Sequence, residues 1–188
     1  MYTLGSHNSF SYLPVKRWYM RWSRPWARCQ SKTITEQIAT GVRYFDMRVR
    51  FNGDGSVRLV HNSIEFKPYN LEESLHLINE CECHMRLVLD IRSDVDADQE
   101  RMFFEYVKTI QEKYPQIKLH VQIAARGWID IPEWSSAPFE ITENHVSVVG
   151  YNVKNLAKYK GIPEAYARDN NEDIKREFKG NCLLIDFV

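Results

Sequence analysis

The chain has 188 residues, 44% of them hydrophobic and 27% charged, which suits one globular domain with a substantial core. Lysine plus arginine and aspartate plus glutamate each number 25, so the charge balance gives no reason to expect a nucleic-acid partner. No apolar run approaches the length of a membrane span. The chain lacks the basic segment and apolar core of a signal peptide, so we expect a cytoplasmic protein, or a secreted one whose leader has been removed.

The first apolar run of the chain leads into the stretch LGSHNSF, residues 4–10, where His7 follows a short predicted strand. Ser6, Asn8 and Ser9 are common turn residues, so His7 could simply cap a loop. The alternative is that His7 is the first part of an active site. The choice between the two depends on the rest of the chain.

Residues 15–29, VKRWYMRWSRPWARC, form an aromatic basic segment that contains no acidic residue. Its tryptophans and basic residues are Trp18, Trp22, Trp26, Lys16, Arg17, Arg21, Arg24 and Arg28. The four-residue spacing of the tryptophans indicates a helix that packs them onto the domain with its arginines in solvent, and this is the interpretation we favour. Peripheral membrane contact is the alternative, because interfacial tryptophans and basic side chains favour anionic bilayers.

Short β-type runs alternate with helical patterns through the rest of the chain. Strands are predicted at residues 42–51, 57–60, 86–91, 117–123, 145–151 and 182–188. Helices are predicted at residues 33–39, 70–81, 96–114 and 162–178, the first with Thr33 and Glu36 at capping-box spacing. This alternation, without a linker or repeat, predicts a single α/β domain over residues 1–188 with a mainly parallel sheet. We expect a compact, irregular (β/α)8 barrel with reduced helices, because the fold usually takes about 250 residues.

Ionisable side chains recur where the predicted strands end. In the 42–51 strand, alternation produces one apolar face and puts Asp46 and Arg48 together on the other. The remaining residues of this kind are His7, His61, Arg92 and Asp186. Because the C-terminal ends of parallel barrel strands meet at one rim, we expect these side chains to converge. We expect Asp90, in contrast, to cap or bond the backbone.

The four cysteines give little indication of function. Cys29 and Cys182 stand alone, and a buried structural thiol is the expectation for each. The stretch CECH, residues 81–84, resembles metal-ligand spacing, but no second pair of ligands completes a zinc site. We interpret the cysteines as structural, with metal binding as a remote alternative.

Two histidines and an arginine at one rim suit phosphodiester chemistry. One imidazole can remove a proton from a hydroxyl nucleophile while the other protonates the leaving oxygen. A guanidinium can hold the phosphate oxygens and stabilise the charge that develops on them. A carboxylate behind the base histidine fixes its tautomer and stabilises the imidazolium.

The motifs LGSHNSF, GVRYFDMRVR, VRLVHNS, RLVLDIRS and CLLIDFV resemble, in order, those of the X domain of phosphatidylinositol-specific phospholipase C. The resemblance implies an irregular (β/α)8 barrel. It implies that His7 is the general base, that Asp186 orients it, and that His61 is the general acid. Arg48 falls where bacterial members carry a phosphate-binding arginine, and Asp46 matches the acidic residue before it.

The same resemblance implies an enzyme that needs no metal and no cofactor. Arg48 and Arg92 stand where calcium-dependent members carry an aspartate and a glutamate ligand. Asn8 stands where bacterial members commonly carry an aspartate that supports the acid histidine, and where calcium-dependent members carry a ligating asparagine. An asparagine can still accept a hydrogen bond from His61, but it supports the charged form of that histidine less than an aspartate does.

The reaction implied is attack by the inositol 2-hydroxyl, which releases diacylglycerol and an inositol 1,2-cyclic phosphate. Tyr151 resembles the tyrosine that stacks on the inositol ring, although core packing explains it equally well. Arg126 and Arg92 are further candidates for substrate binding, while Val149 replaces an aspartate expected to contact the ring. We expect a phospholipid or inositol-phosphate substrate and a monomeric protein.

Two other functions stay open at this point. A glycerophosphodiester-type hydrolase shares the barrel but uses glutamates and a metal, and its His-Arg and Glu-x-Asp motifs are not seen in this chain. A catalytically weak domain that binds lipid headgroups is the second alternative, which Asn8 and Val149 keep open.

Overall fold

The computed structural model describes residues 2–125, 127–128, 146–149, 158–179 and 182–188, with the backbone alone at 127–128 and 146–149. The strands are β1 Thr3–Ser6, β2 Tyr44–Phe51, β3 Val57–His61, β4 Ile64–Glu65, β5 His84–Leu89, β6 Lys118–Ile123, β7 Gly127–Trp128, β8 Val146–Val149 and β9 Cys182–Ile185. The helices are α1 Arg24–Ala27, α2 Ile34–Ala39, α3 Leu71–Glu80, α4 Ala97–Lys113 and α5 Pro163–Glu177, and a 3₁₀ helix spans Trp18–Ser23.

One mainly parallel sheet organises the described part of the fold. Its order is β7-β6-β5-β2-β1-β9-β8, with β3 paired to β2 and β4 paired to β3. The neighbours from β6 through β5, β2, β1 and β9 to β8 are all parallel. The predicted α/β class with a mainly parallel sheet is therefore confirmed. Among the strands that the structure describes, β7 and β8 end the sheet without pairing to each other, so closure into a barrel is not confirmed.

Strand β3 departs from the parallel arrangement of the strands around it. This strand runs antiparallel to β2, with Val49 opposite Leu59 and Phe51 opposite Val57. The reason is the connection, residues 52–56, which is too short for the crossover that parallel strands require. Gly55 in this turn has φ 80°, a left-handed conformation that glycine adopts without strain.

Strand β1 lies between β2 and β9 and approaches both closely. A Cβ atom added to Gly5 would lie 2.3 Å from Leu184 Cδ2 and 3.1 Å from Tyr44 Cβ. Glycine at this position therefore lets the first strand of the chain pack between its neighbours. The same arrangement fixes the residues that follow β1, including His7, against the end of β9.

The main core lies between the sheet and its helices. Phe45, Met47 and Val49 form the apolar face of β2 and join one buried cluster with Phe103 and Val107 of α4. Full burial of a side chain such as Phe103 contributes about 1.5–3 kcal/mol to the free energy of unfolding. The apolar face of β2 therefore packs in the core, and Asp46 and Arg48 lie on the opposite face of the strand.

Polar side chains cap the starts of α2, α3 and α4. The Thr33 hydroxyl accepts from the Glu36 N–H, and the Glu36 carboxylate accepts from the Thr33 N–H, so the predicted capping box is confirmed. The side chains of Asn70 and Asp96 cap α3 and α4 by accepting from the Glu72 and Asp98 N–H groups. None of the described helices combines the length and the apolar composition needed to cross a bilayer.

Candidate active site

His7 and Asp186 come together because β1 and β9 are paired in parallel. Ser6 lies opposite Ile185, so the next residue of each strand reaches the same end of the sheet. The His7 N–H donates to the Ile185 carbonyl at 2.9 Å, and its Nδ1 lies 2.7 Å from Asp186 Oδ1. Both side chains are buried. The first and last described strands thus build one histidine–carboxylate pair.

The other nitrogen of His7 faces Arg48. Its Nε2 lies 3.0 Å from Arg48 Nη2. A guanidinium can only donate, so Nε2 is the acceptor and the proton of the ring resides on Nδ1, from which it is donated to Asp186. His7 therefore has the tautomer that a general base requires, with an unprotonated Nε2. In the free site the Nε2 lone pair accepts a hydrogen bond from Arg48.

Asp46 balances the positive charges around His7. Its carboxylate accepts from Arg48 Nε at 3.2 Å, from Arg86 Nε and Nη2 at 2.9 and 2.7 Å, and from the Asn8 N–H at 3.0 Å. Burial alone would raise the pKa of Asp46, but Arg48 and Arg86 outweigh burial and hold this pKa well below its ordinary value. Asp46 in turn raises the pKa of Arg48 against the effect of burial.

His61 reaches this group through the β2–β3 hairpin. The His7 and His61 rings lie edge to face, with centroids 6.1 Å apart. His61 Nδ1 donates to the Ala27 carbonyl at 2.9 Å. Burial is the main cause that lowers the pKa of His61 to about 4, and the electrostatic effect of the neighbouring His7 and Arg48 acts in the same direction. In this state His61 is neutral at pH 7 and its Nε2 carries no proton.

A sequence model of the family described as "Phosphatidylinositol-specific phospholipase C, X domain" matches residues 8–118, more than half of the chain. The chain belongs to this family. It is an enzyme of the phosphatidylinositol-specific phospholipase C type. None of the curated proteins compared with this X domain matches it significantly.

Bacterial enzymes of the same type share the fold of this X domain. Phosphatidylinositol-specific phospholipase C from Listeria monocytogenes superposes with a TM-score of 0.65 and 14% identity, over 100% of this chain and 88% of that chain. Two structures of the Staphylococcus aureus enzyme, one of them from work on modulating its membrane binding, each superpose with a TM-score of 0.61. Their identities are 17% and 18%, over 98% of this chain and 85% of theirs.

Several predicted site residues of the X domain lie away from the His7–Arg48 pair or outside the described residues. The Arg92 side chain is 66% exposed and lies 3.9 Å from Asp90 Oδ1. Asp90 accepts from the Asn62 N–H at 2.7 Å, the backbone bond that we expected. Arg126 and Tyr151 lie outside the described residues, as does the side chain of Val149.

Asn8 contributes to the site through its backbone, by the bond to Asp46 described above. It adopts a left-handed conformation with φ 44°, which asparagine tolerates better than most residues. Its side-chain Nδ2 is buried, without a hydrogen-bond partner among the described residues. His61 Nδ1 donates to the Ala27 carbonyl, so a hydrogen bond from His61 to Asn8 would have to come from Nε2.

Arg86 is the member of the site that sequence reasoning missed. It lies directly opposite Asp46 in the β2–β5 ladder and is buried. The signal was available in the stretch RLVLDIRS, because alternation puts Arg86 on the same face as Asp90. A buried guanidinium requires a carboxylate partner, and Asp46 on the adjacent strand supplies it.

The aromatic basic segment differs from the interpretation we favoured. Trp18 and Trp22 are 76% and 71% exposed, so the prediction that they pack onto the domain is wrong. Residues 18–23 form a 3₁₀ helix, in which a spacing of four does not produce one buried stripe. Trp26 is partly exposed and donates from Nε1 to the Lys160 carbonyl at 2.8 Å. Ala27 is buried and anchors the segment.

Proposed function

We propose that this X domain cleaves a phosphatidylinositol-like lipid into diacylglycerol and an inositol cyclic phosphate through acid–base catalysis by two histidines. The observation that carries the proposal is the hydrogen-bonded line Asp186–His7–Arg48. It combines an oriented base with a guanidinium that can bind a phosphate at the same point. His61 stands across from His7 as the second proton-transfer group.

The base step begins when substrate replaces Arg48 at His7. The inositol hydroxyl hydrogen-bonds to Nε2, and Arg48 turns its Nη2 to a phosphate oxygen. As the hydroxyl oxygen attacks phosphorus, its proton passes to Nε2, and Asp186 stabilises the imidazolium through Nδ1. Arg48 stabilises the negative charge that builds on the phosphoryl oxygens. No step requires a group from outside the chain.

The acid step falls to His61, which donates a proton from Nε2 to the departing diacylglycerol oxygen. Burial holds the pKa of His61 at about 4 in the free site, so its Nε2 must take up a proton from solvent when substrate binds. The phosphate anion supports this change, since a negative charge beside an imidazole raises its pKa. The Ala27 carbonyl keeps the ring oriented by accepting from Nδ1.

The arrangement supports catalysis without a metal ion. Asp46 already accepts from Arg48, Arg86 and the Asn8 N–H, so its oxygens are engaged. A divalent cation prefers several free oxygen ligands, and the two guanidinium groups would repel it. Activity that is abolished by EDTA and restored by calcium would contradict this part of the proposal.

We also propose that the aromatic basic segment carries the enzyme to anionic lipid surfaces. Trp18 and Trp22 are exposed at a part of the chain that contains basic and no acidic side chains. Interfacial tryptophans partition into the headgroup region, and basic residues are attracted to anionic lipids. The substrate is itself part of such a surface.

A single barrel domain acting as a monomer is the architecture we propose for the whole chain. The superposition on the Listeria monocytogenes enzyme, which covers 100% of this chain, supports one domain with a barrel-type sheet. Light scattering of the purified protein tests the monomer directly, and a dimer mass would contradict it.

Phosphorus NMR tests the proposed reaction. Vesicles of phosphatidylinositol should produce a cyclic phosphate resonance that appears before any monoester. His7→Ala should lower turnover by roughly two to four orders of magnitude, the usual scale for general acid–base catalysis. Near-normal turnover in folded His7→Ala would contradict the mechanism. If the enzyme cleaved a different phospholipid instead of phosphatidylinositol, the proposed substrate would be wrong and that headgroup would replace it.

A further inference from the structure

Cys29 lies behind the His7–Asp186 pair, in a position that the proposed reaction does not use. Its N–H donates to Ser11 Oγ at 2.9 Å, and its carbonyl accepts from the Phe187 N–H at 2.7 Å. The thiol is fully buried. One ligand atom each from His7, Cys29 and Asp186 lie within 4.8 Å of one another. Backbone bonds on both sides therefore fix a sulfur beside the base histidine and its carboxylate.

Asp186 supplies an independent sign that this position can hold a ligand. Its Oδ1 bonds to His7, but its Oδ2 is buried without a hydrogen-bond partner among the described residues. The Asp186 side chain is 2% exposed. Buried carboxylate oxygens without a partner are rare because they lose their hydration without compensation. A cation at this position would remove that cost.

We propose that His7, Cys29 and Asp186 form an inhibitory binding site for Zn²⁺. Imidazole nitrogen, thiolate sulfur and carboxylate oxygen are the three donor types that zinc takes in proteins, at about 2.0–2.3 Å. A tetrahedral ion needs these donors to move inward by roughly an ångström, and it leaves the fourth position to water. Calcium and magnesium are poor occupants, since they require oxygen ligands.

Zinc at this site blocks the base through a change of tautomer. The ion binds Nδ1 of His7, so the ring proton moves from Nδ1 to Nε2, Arg48 loses its hydrogen bond to Nε2, and the ring stays neutral. The Cys29 thiol loses its proton to solvent, so one proton is released for each zinc bound. With Nε2 protonated, His7 cannot accept the proton of a substrate hydroxyl.

The test compares zinc inhibition in the intact protein and in Cys29→Ala, with turnover first measured in EDTA. We expect zinc to inhibit the wild type reversibly, and Cys29→Ala to need roughly tenfold more zinc or above for half inhibition. Cys182→Ala is the matched control, because Cys182 is also fully buried but lies within β9, and it should keep wild-type sensitivity. Equal sensitivity of Cys29→Ala and wild type would overturn the proposal.

A binding measurement without turnover keeps the test independent of the proposed reaction. Co²⁺ added to the wild type should produce a sulfur-to-cobalt absorption band in the near ultraviolet, which Zn²⁺ displaces and Cys29→Ala lacks. Cys29→Ser, which keeps a polar group of similar size, replaces the alanine variant where the latter does not fold. A wild type without this band has no thiolate site. If the wild-type protein shows the band but has no phospholipase activity, the metal-site proposal is supported and the proposed function is contradicted.

Discussion

Arg48 has two partners in the free site, Asp46 and the lone pair of His7. Because the same guanidinium can bind the phosphate, its planar two-nitrogen geometry matters as well as its charge. We predict that Arg48→Ala lowers kcat/KM by about 10²–10³-fold, and that Arg48→Lys recovers only part of the loss. Steady-state kinetics on vesicles measures both. Arg58→Lys is the control, since Arg58 donates to the Phe51 carbonyl away from His7. Full recovery by lysine would mean that charge alone suffices.

At the scale of secondary-structure elements, the β2–β5 ladder carries a buried ion pair that couples stability to the site. Asp46 and Arg86 are direct neighbours in this ladder. Replacing Arg86 leaves a buried carboxylate with Arg48 as its remaining charged partner. We predict that Arg86→Met lowers the free energy of unfolding by about 3 kcal/mol and also lowers kcat, because Arg48 is drawn towards Asp46. Urea unfolding and kinetics test the two parts.

The control for this prediction is Arg101→Met on the surface of α4. Arg101 pairs with Glu105, and both side chains are largely exposed. Such surface pairs contribute about 0–1 kcal/mol, so this variant should unfold nearly like the wild type. If both variants lost similar amounts of unfolding free energy, Arg86 would contribute no more to stability than a surface arginine.

The aromatic basic segment carries a prediction at the same scale. We expect Trp22→Ala to weaken binding to anionic vesicles and to lower turnover on them, while a soluble inositol phosphodiester is cleaved normally. Added salt should weaken the binding of the wild type, because the basic side chains act through a screened attraction. Vesicle sedimentation measures binding. Tyr69→Ala, an exposed aromatic residue outside the segment, is the control. If Trp22→Ala lost turnover equally on vesicles and on the soluble substrate, a membrane role for the segment would be contradicted.

Sequence patterns predicted the elements well because alternation and capping are local properties. The capping box at Thr33 was predicted correctly, and so was the apolar face of β2. The direction of β3 and the exposure of Trp18 were not foreseen. The alternation of apolar and polar residues is the same in parallel and antiparallel strands. Only the short connection at residues 52–56 indicated that β3 runs antiparallel to β2. The tryptophan spacing misled because it assumed an α-helix where the chain forms a 3₁₀ helix.

Buried histidines set the response of the whole molecule to acid. Burial lowers the pKa of His61 and His84 to about 4, and that of His120 to about 3. His84 and His120 lie 3.2 Å apart and stack on Tyr44. These rings stay neutral in the fold at pH values where the unfolded chain protonates them. Stability is therefore unaffected above about pH 6.5 and falls as the pH drops towards 4.

We predict that the melting temperature declines steadily between pH 6.5 and 4, with His61 alone contributing roughly 3 kcal/mol over this range. Calorimetry across pH measures the decline. It should be smaller in His120→Asn, which removes one buried imidazole, and unchanged in His76→Asn, because His76 is exposed. A wild type equally stable at pH 4 and 7 would contradict the buried, neutral state of these rings.

The assembly of the site was only partly predictable at the scale of the molecule. Convergence of His7, Arg48 and Asp186 followed from the expectation that parallel strand ends meet at one rim. The pairing of Arg86 with Asp46 required the register of β2 and β5, which a sequence pattern does not contain. Cys29 lies next to His7 and Asp186 because backbone hydrogen bonds hold the end of residues 15–29 against Ser11 and Phe187. These long-range contacts leave no pattern in the local sequence.

The pair His7 and Asp186 spans 179 residues of sequence. Synthesis therefore produces His7 early and its partner Asp186 only after nearly all of the described chain has been made. Under the proposed mechanism, β9 must dock beside β1 before Asp186 can orient His7, so a chain in which these two strands are not paired is a poor catalyst.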